Sequence, residues 1–104
     1  MGEFFIENKR LGILVPELDR EWDQYNKEVQ QEILLQWEII RGHIPDRIKE
    51  LEQTINKKQA QLDEEEVFEI SCQLNSEIAE LASVINDLWL YYRINQDLSE
   101  KVHQ

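Results

Sequence analysis

Apolar residues recur every three or four positions along most of this chain, which is the spacing of one face of an α-helix. The first such series lies between Pro16 and Gly42. Its members are Leu18, Trp22, Tyr25, Val29, Ile33, Trp37 and Ile40. Because proline suits the first helical position and glycine often follows the last, this series predicts a helix over residues 16–41.

A second, narrower series follows after a short interruption. It begins at Pro45, another start signal, and predicts a helix over residues 45–62. Its apolar members are Ile48, Leu51, Ile55 and Leu62. Only residues 42–44 separate it from the first helix, so we expect a tight turn and two closely packed neighbours.

The third series is the longest and predicts a helix over residues 63–98, followed by a polar tail that ends at Gln104. The main row consists of Val67, Ile70, Leu74, Ile78, Leu81, Ile85, Leu88, Tyr92 and Asn95. A second row consists of Phe68, Cys72, Ala79, Ala82 and Trp89. Two rows on one helix, as in coiled coils, imply two packing partners.

The start of the third helix carries a capping signal. Leu62, Asp63, Glu66 and Val67 fit a capping box with a hydrophobic staple, in which Asp63 is the N-cap. We therefore expect that Asp63→Ala costs about 1 kcal/mol. The alternative is one continuous helix from Pro45 onward with an acidic exposed patch.

The first fifteen residues follow a different pattern. Residues 4–6 are apolar, residues 7–10 are polar, and residues 11–15 are apolar except for Gly12. Two apolar runs around a polar turn predict a short β-hairpin in the extension over residues 1–15. The predicted fold class is therefore all-α: one domain over residues 1–104, a three-helix up-down-up bundle with a long third helix.

Charge excludes several classes of partner. The chain has 104 residues, 22 acids against 11 bases and a net charge of -11. Such a surface repels phosphate backbones and anionic lipid, so we expect no nucleic-acid binding and no membrane binding. With a single cysteine and no leader or long apolar span, we expect a cytoplasmic protein.

Two pairs of glutamates on the third helix are candidates for metal binding. Glu66 with Glu69, and Glu77 with Glu80, are each one helical turn apart, and Mg²⁺ favours such oxygen pairs. This spacing resembles half of the signature of all-α nucleotide pyrophosphohydrolases, whose second half, E-x-x-D, is missing here. The resemblance implies an alternative function, a Mg²⁺-dependent hydrolase of nucleotide-like substrates. A solvated acidic face is the other interpretation, and we favour it.

No other set of residues forms a complete catalytic or cofactor site. Cys72 lies on the second row of the third helix, where we expect it to be buried as a small hydrophobe. His43 is expected in the turn between helices, far in sequence from His103. One cysteine and two distant histidines exclude a tetrahedral zinc site. We therefore expect no cofactor and favour a protein that is not an enzyme.

The unequal helix lengths predict self-association. The second helix should measure about 27 Å and the third about 50 Å, so half of the third helix would project alone in an up-down-up order. We expect a homodimer that buries this half against the end of the first helix. The predicted interface residues are Ile33, Leu34, Trp37, Ile40, Ile85, Leu88, Trp89 and Tyr92. The predicted function is a self-associating interaction or regulatory module whose acidic face contacts a basic protein.

Overall fold

The computed structural model describes the backbone of residues 4–103 and the side chains of residues 4–94, so residues 1–3 and Gln104 lie outside the described residues. The chain is mostly helical and begins with a two-stranded antiparallel hairpin. The elements are β1 (Phe5–Asn8), β2 (Ile13–Pro16), a 3-10 turn (Trp22–Gln24), α1 (Lys27–Gly42), α2 (Ile44–Glu64) and α3 (Phe68–His103).

The predicted N-terminal hairpin is confirmed. Phe5 pairs with Pro16 and Asn8 with Ile13, and the Asn8 carbonyl accepts the N–H of Gly12 at 2.8 Å. Gly12 has a φ of 77°, a left-handed conformation that glycine adopts without steric cost. The hairpin therefore lies where the pattern predicted it, but its turn occupies residues 9–12 and not residues 7–10.

The first helix starts eleven residues later than the prediction of residue 16, because Pro16 belongs to β2 and α1 begins at Lys27. Asn26 is the N-cap, and its side-chain oxygen accepts the N–H of Val29 at 2.9 Å. A capped start satisfies a helical donor that otherwise has no partner, which fixes the boundary there. The apolar residues of the first series that precede Asn26 are at least partly buried, but they do not form an α-helix.

The predicted tight turn after the first helix is a bend. Only His43 separates α1 from α2, and it keeps right-handed helical dihedrals, with φ -90° and ψ -10°. Gly42 does not adopt the left-handed conformation that would end the helix, since Gly12 is the glycine with positive φ in the described chain. Pro45 lacks an N–H and its ring clashes with the carbonyl four residues earlier, which bends a helix without reversing it.

The bent helix formed by α1 and α2 packs against α3 along its length. Lys58 of α2 bonds Glu77, and Arg41 of α1 bonds the carbonyl of Tyr92, so α3 runs antiparallel to both. The molecule measures 59 × 21 × 20 Å. The predicted three-helix up-down-up order is therefore not confirmed, and the second half of α3 does not project alone.

The boundary between the second and third helices also differs from the prediction. Asp63 lies in the last turns of α2, where it accepts a hydrogen bond from Gln59, and it does not cap α3. The carbonyl of Val67 accepts the N–H of Ser71 to begin α3, and the helix continues to His103, past the predicted end at Leu98. The chain reverses through residues 65–67, which excludes the alternative of one continuous helix.

The hairpin packs on one side of the helical pair and completes the core. Buried side chains of the strands join those of all three helices. They are Phe5, Leu11, Ile13, Val15, Tyr25, Ile33, Trp37, Ile40, Ile44, Ile48, Leu51, Val84 and Leu88. A two-stranded ribbon is marginal alone, so this packing is what stabilises it.

Candidate interaction surface

The structure divides the eight predicted interface residues into two groups. Four of them lie in the core of a single chain, namely Ile33, Trp37, Ile40 and Leu88. These side chains are buried within one chain and need no second copy to remove them from water, because α3 folds back along α1. Leu34, Ile85 and Tyr92 are partly buried, and Trp89 is 41% exposed.

Arg41 fixes the edge of the helical pair near Trp89. Its guanidinium lies 4.2 Å from the ring centroid of Tyr92, and its Nε donates to the Tyr92 carbonyl at 2.9 Å. Tyr92 in turn packs against Trp89 with ring centroids 5.6 Å apart. The exposed Trp89 ring therefore packs on Tyr92, which Arg41 of α1 holds in place.

The second row of α3 faces solvent, contrary to the expectation that Cys72 is buried. All five of its members, Phe68, Cys72, Ala79, Ala82 and Trp89, are exposed, with Phe68 at 75%. The main row supplies the buried seam instead, through residues such as Leu74 and Leu88. The helical spacing located both rows, but only the main row packs within the chain, and Val67 and Ile70 at its start remain exposed.

We call the side of α3 that carries the second row its outward face. This face has no acidic side chain between residues 70 and 92. The three acids in this stretch all bind cations of other elements: Glu77 binds Lys58 at 3.3 Å, and Glu80 and Asp87 bind Arg10 at 2.9 and 2.7 Å. These contacts direct the three carboxylates toward α2 and the hairpin. In a chain with a net charge of -11, an exposed face free of acids is unusual.

The charged groups lie at the two ends of this face. Five acids and no base occur between Gln61 and Ile70, at the reversal between α2 and α3. Exposed Arg93 lies at the opposite end. The face is therefore negative near the reversal and uncharged in the middle, and Arg93 is a cation at its far end.

The paired glutamates do not converge on a metal site. Glu66 and Glu69 are exposed at the reversal, whereas Glu77 and Glu80 are paired with Lys58 and Arg10. Among the side chains that the structure describes, no group of three or more His, Cys, Asp or Glu residues could hold a metal ion. His43 is exposed at the bend of the helix, and the side chain of His103 lies outside those described.

An open pocket of about 380 Å³ lies between the hairpin and α1. It is lined by Phe4, Asp19, Arg20, Tyr25 and Val29. The Tyr25 hydroxyl donates to Asp19 at 2.7 Å, and Arg20 lies over the ring. Burial and the bond to Asp19 raise the pKa of Tyr25, so the phenol stays neutral where a free tyrosine begins to ionise.

Sequence reasoning missed Arg10, which holds the hairpin on α3. Besides its two carboxylate partners, it donates to the Ser83 hydroxyl at 2.8 Å. Nothing local to Arg10 indicates partners seventy or more residues away. The sequence did contain a signal for the second row of α3, since its helical spacing can be read directly. Whether this row is exposed depends on how the chain folds back, which the spacing does not show.

Comparisons with protein-family models, with curated proteins and with solved structures find no match to this chain. Within residues 4–103, none of the helices combines the length and the hydrophobicity that crossing a bilayer requires.

Proposed function

We propose that this chain is a non-enzymatic protein-interaction module of the cytoplasm that self-associates through the outward face of α3. The observation that carries the proposal is the exposed row from Phe68 to Trp89, which is free of acids in an otherwise acidic protein. Solvent-facing sides of helices are ordinarily charged or polar, whereas a face with exposed aromatic side chains favours a packing partner.

The remaining surface suits a second kind of partner. The five acids at the reversal between α2 and α3 create a negative field that attracts basic protein surfaces and repels nucleic acid and anionic lipid. Glu66 and Glu69 belong to this cluster. The module thus pairs with itself along one face and presents an acidic end to a basic protein.

Static light scattering at micromolar concentration tests the self-association. We expect a dimer for the wild type and a monomer for Trp89→Glu, because dimerisation would bury an unpaired carboxylate. Leu35→Glu is the matched control, since Leu35 is 65% exposed and lies on α1, not on α3. A monomeric wild type contradicts the proposal, and so does a Trp89→Glu variant that stays dimeric.

A further inference from the structure

The outward face of α3 has a regular heptad spacing. Eight exposed residues follow one another by alternating steps of four and three, and we call them the outer row. They are Phe68, Cys72, Asn75, Ala79, Ala82, Asn86, Trp89 and Arg93. Steps of four and three form the seam of a coiled coil, in which each side chain packs between side chains of a facing helix.

The four central residues of the outer row read the same from either end. Two alanines occupy the centre and an asparagine follows on each side, with Cys72 and Phe68 beyond them at one end and Trp89 and Arg93 at the other. A two-fold axis perpendicular to a helix reverses its direction and makes the same surface contact itself. We propose, building on the proposed function, that two copies of this chain pair antiparallel along the outer row, with the two-fold axis midway between Ala79 and Ala82.

At the centre of this pairing, small side chains face small side chains and amides face amides. Ala79 faces the partner's Ala82, and without large side chains between them the two backbones approach closely. Asn75 faces the partner's Asn86, where the two amides can exchange hydrogen bonds. Asparagine pairs within a helical seam fix its register, which explains polar residues in an otherwise apolar row.

At the outer ends of the pairing, a large side chain faces a small one and a cation faces an aromatic ring. Trp89 faces the partner's Cys72, where a small side chain leaves room for an indole. Arg93 faces the partner's Phe68, an arrangement for a cation–π contact beside the acids of residues 63–66. Each end of the pairing thus brings Arg93 of one chain beside the acidic reversal of the other.

Parallel pairing does not satisfy the same face. It would place the five acids at the reversal of one chain beside those of the other and leave both copies of Arg93 together. The like charges at the acidic end oppose that arrangement, and antiparallel helix dipoles favour the other. The charge distribution along α3 therefore selects the antiparallel dimer.

Disulfide cross-linking tests the register directly. Two variants are made in a Cys72→Ser background, one with Ala79→Cys and the other with Ala82→Cys, and only one carries an affinity tag. The two are mixed, allowed to exchange subunits and mildly oxidised. We expect a disulfide between tagged and untagged chains, since facing positions of a close helix pair fall near the Cα separation of about 4.4–6.8 Å that a disulfide requires. Both alanines are exposed, so the substitutions leave the core intact.

Wild-type protein and a displaced cysteine serve as controls. In the proposed dimer the two Cys72 residues are about 25 Å apart along the helix axis, so the wild type should form no disulfide dimer. A Cys72→Ser variant with Leu35→Cys, mixed with the Ala82→Cys variant, should not cross-link, because Leu35 lies on α1.

The outcomes separate this inference from the proposed function. A dimer by light scattering without the link between positions 79 and 82 overturns the antiparallel register and leaves self-association standing. A disulfide dimer of the wild type indicates parallel pairing and also overturns the register. Equal cross-linking of the Leu35→Cys control indicates random collision and counts against it, and a monomer by light scattering overturns both proposals.

Discussion

Tyr25 is buried where the hairpin, the segment after it and α1 meet. Phe4 packs edge-on against its ring with the ring centroids 5.9 Å apart, and Asp19 accepts a hydrogen bond from its hydroxyl. Removal from water disfavours the phenolate, and a neighbouring carboxylate disfavours it further, so both raise the pKa of Tyr25. The neutral phenol stabilises the folded state below the ordinary tyrosine pKa, and this contribution is lost as the pH rises through the raised pKa.

Absorbance titration of the phenolate tests this environment. Subtracting the curve of Tyr25→Phe from that of the wild type isolates Tyr25, and we expect a midpoint above the ordinary value of 10.0. Asp19→Asn should lower the midpoint only partly, since burial is the larger cause. A midpoint at or below the ordinary value would mean that the ring is not buried. Circular dichroism monitors the fold throughout the titration.

Two glycines show how an element ends or continues. Gly12 has positive φ, and a Cβ built there would lie 2.7 Å from Nε of Arg47, which donates to the Leu11 carbonyl. Gly42 is helical, and a Cβ there would meet no atom within 4 Å. The first glycine is required by the turn, whereas the second only weakens a helix that continues through it.

Alanine at each position should therefore have opposite effects. Gly12→Ala should lower the free energy of unfolding by about 1–2 kcal/mol through left-handed strain and displacement of Arg47. Gly42→Ala should raise it by about 0.5 kcal/mol, because alanine is the better helix former. Unfolding in denaturant measures both changes. A destabilising Gly42→Ala would indicate that the chain needs a flexible turn there.

The bend at His43 explains which part of the architecture the sequence could predict. Periodicity and turn residues are local, and they predicted the hairpin, the α-helices and the two rows of α3. Glycine followed by proline is compatible with either a reversal or a bend, and the choice depends on contacts between α1 and distant α3. The predicted interface was based on a chain reversal at this point. Trp37 and Leu88 were therefore assigned to a surface, whereas they are part of the core.

At the scale of the whole molecule, Arg10 connects the hairpin to α3. Its guanidinium binds Glu80, Ser83 and Asp87, which lie on one side of the helix. A fork of donors that contacts three acceptors orients the hairpin as well as attaching it. Because these groups are partly exposed, salt in the solvent should weaken the attachment.

Arg10→Gln should lower the thermal unfolding midpoint, and the difference from the wild type should shrink at high salt. Lys9→Gln is the control, since it removes the same charge from the adjacent exposed position without the three bonds to α3. Equal effects of the two variants would show that total charge, and not the contact, is responsible. Scanning calorimetry at low and high ionic strength provides both measurements.

The distance in sequence between Arg10 and its partners affects how the protein is made. Arg10 leaves the ribosome before its partners on α3, since Asp87 follows 77 residues later. A hairpin of two strands is marginal alone, so it has no stable place to dock until most of α3 has been synthesised. The helices need no such delay, because their hydrogen bonds are local. The hairpin is therefore translated before α3 but reaches its final packing only after it, and in a nascent chain its strand edges stay unprotected until then.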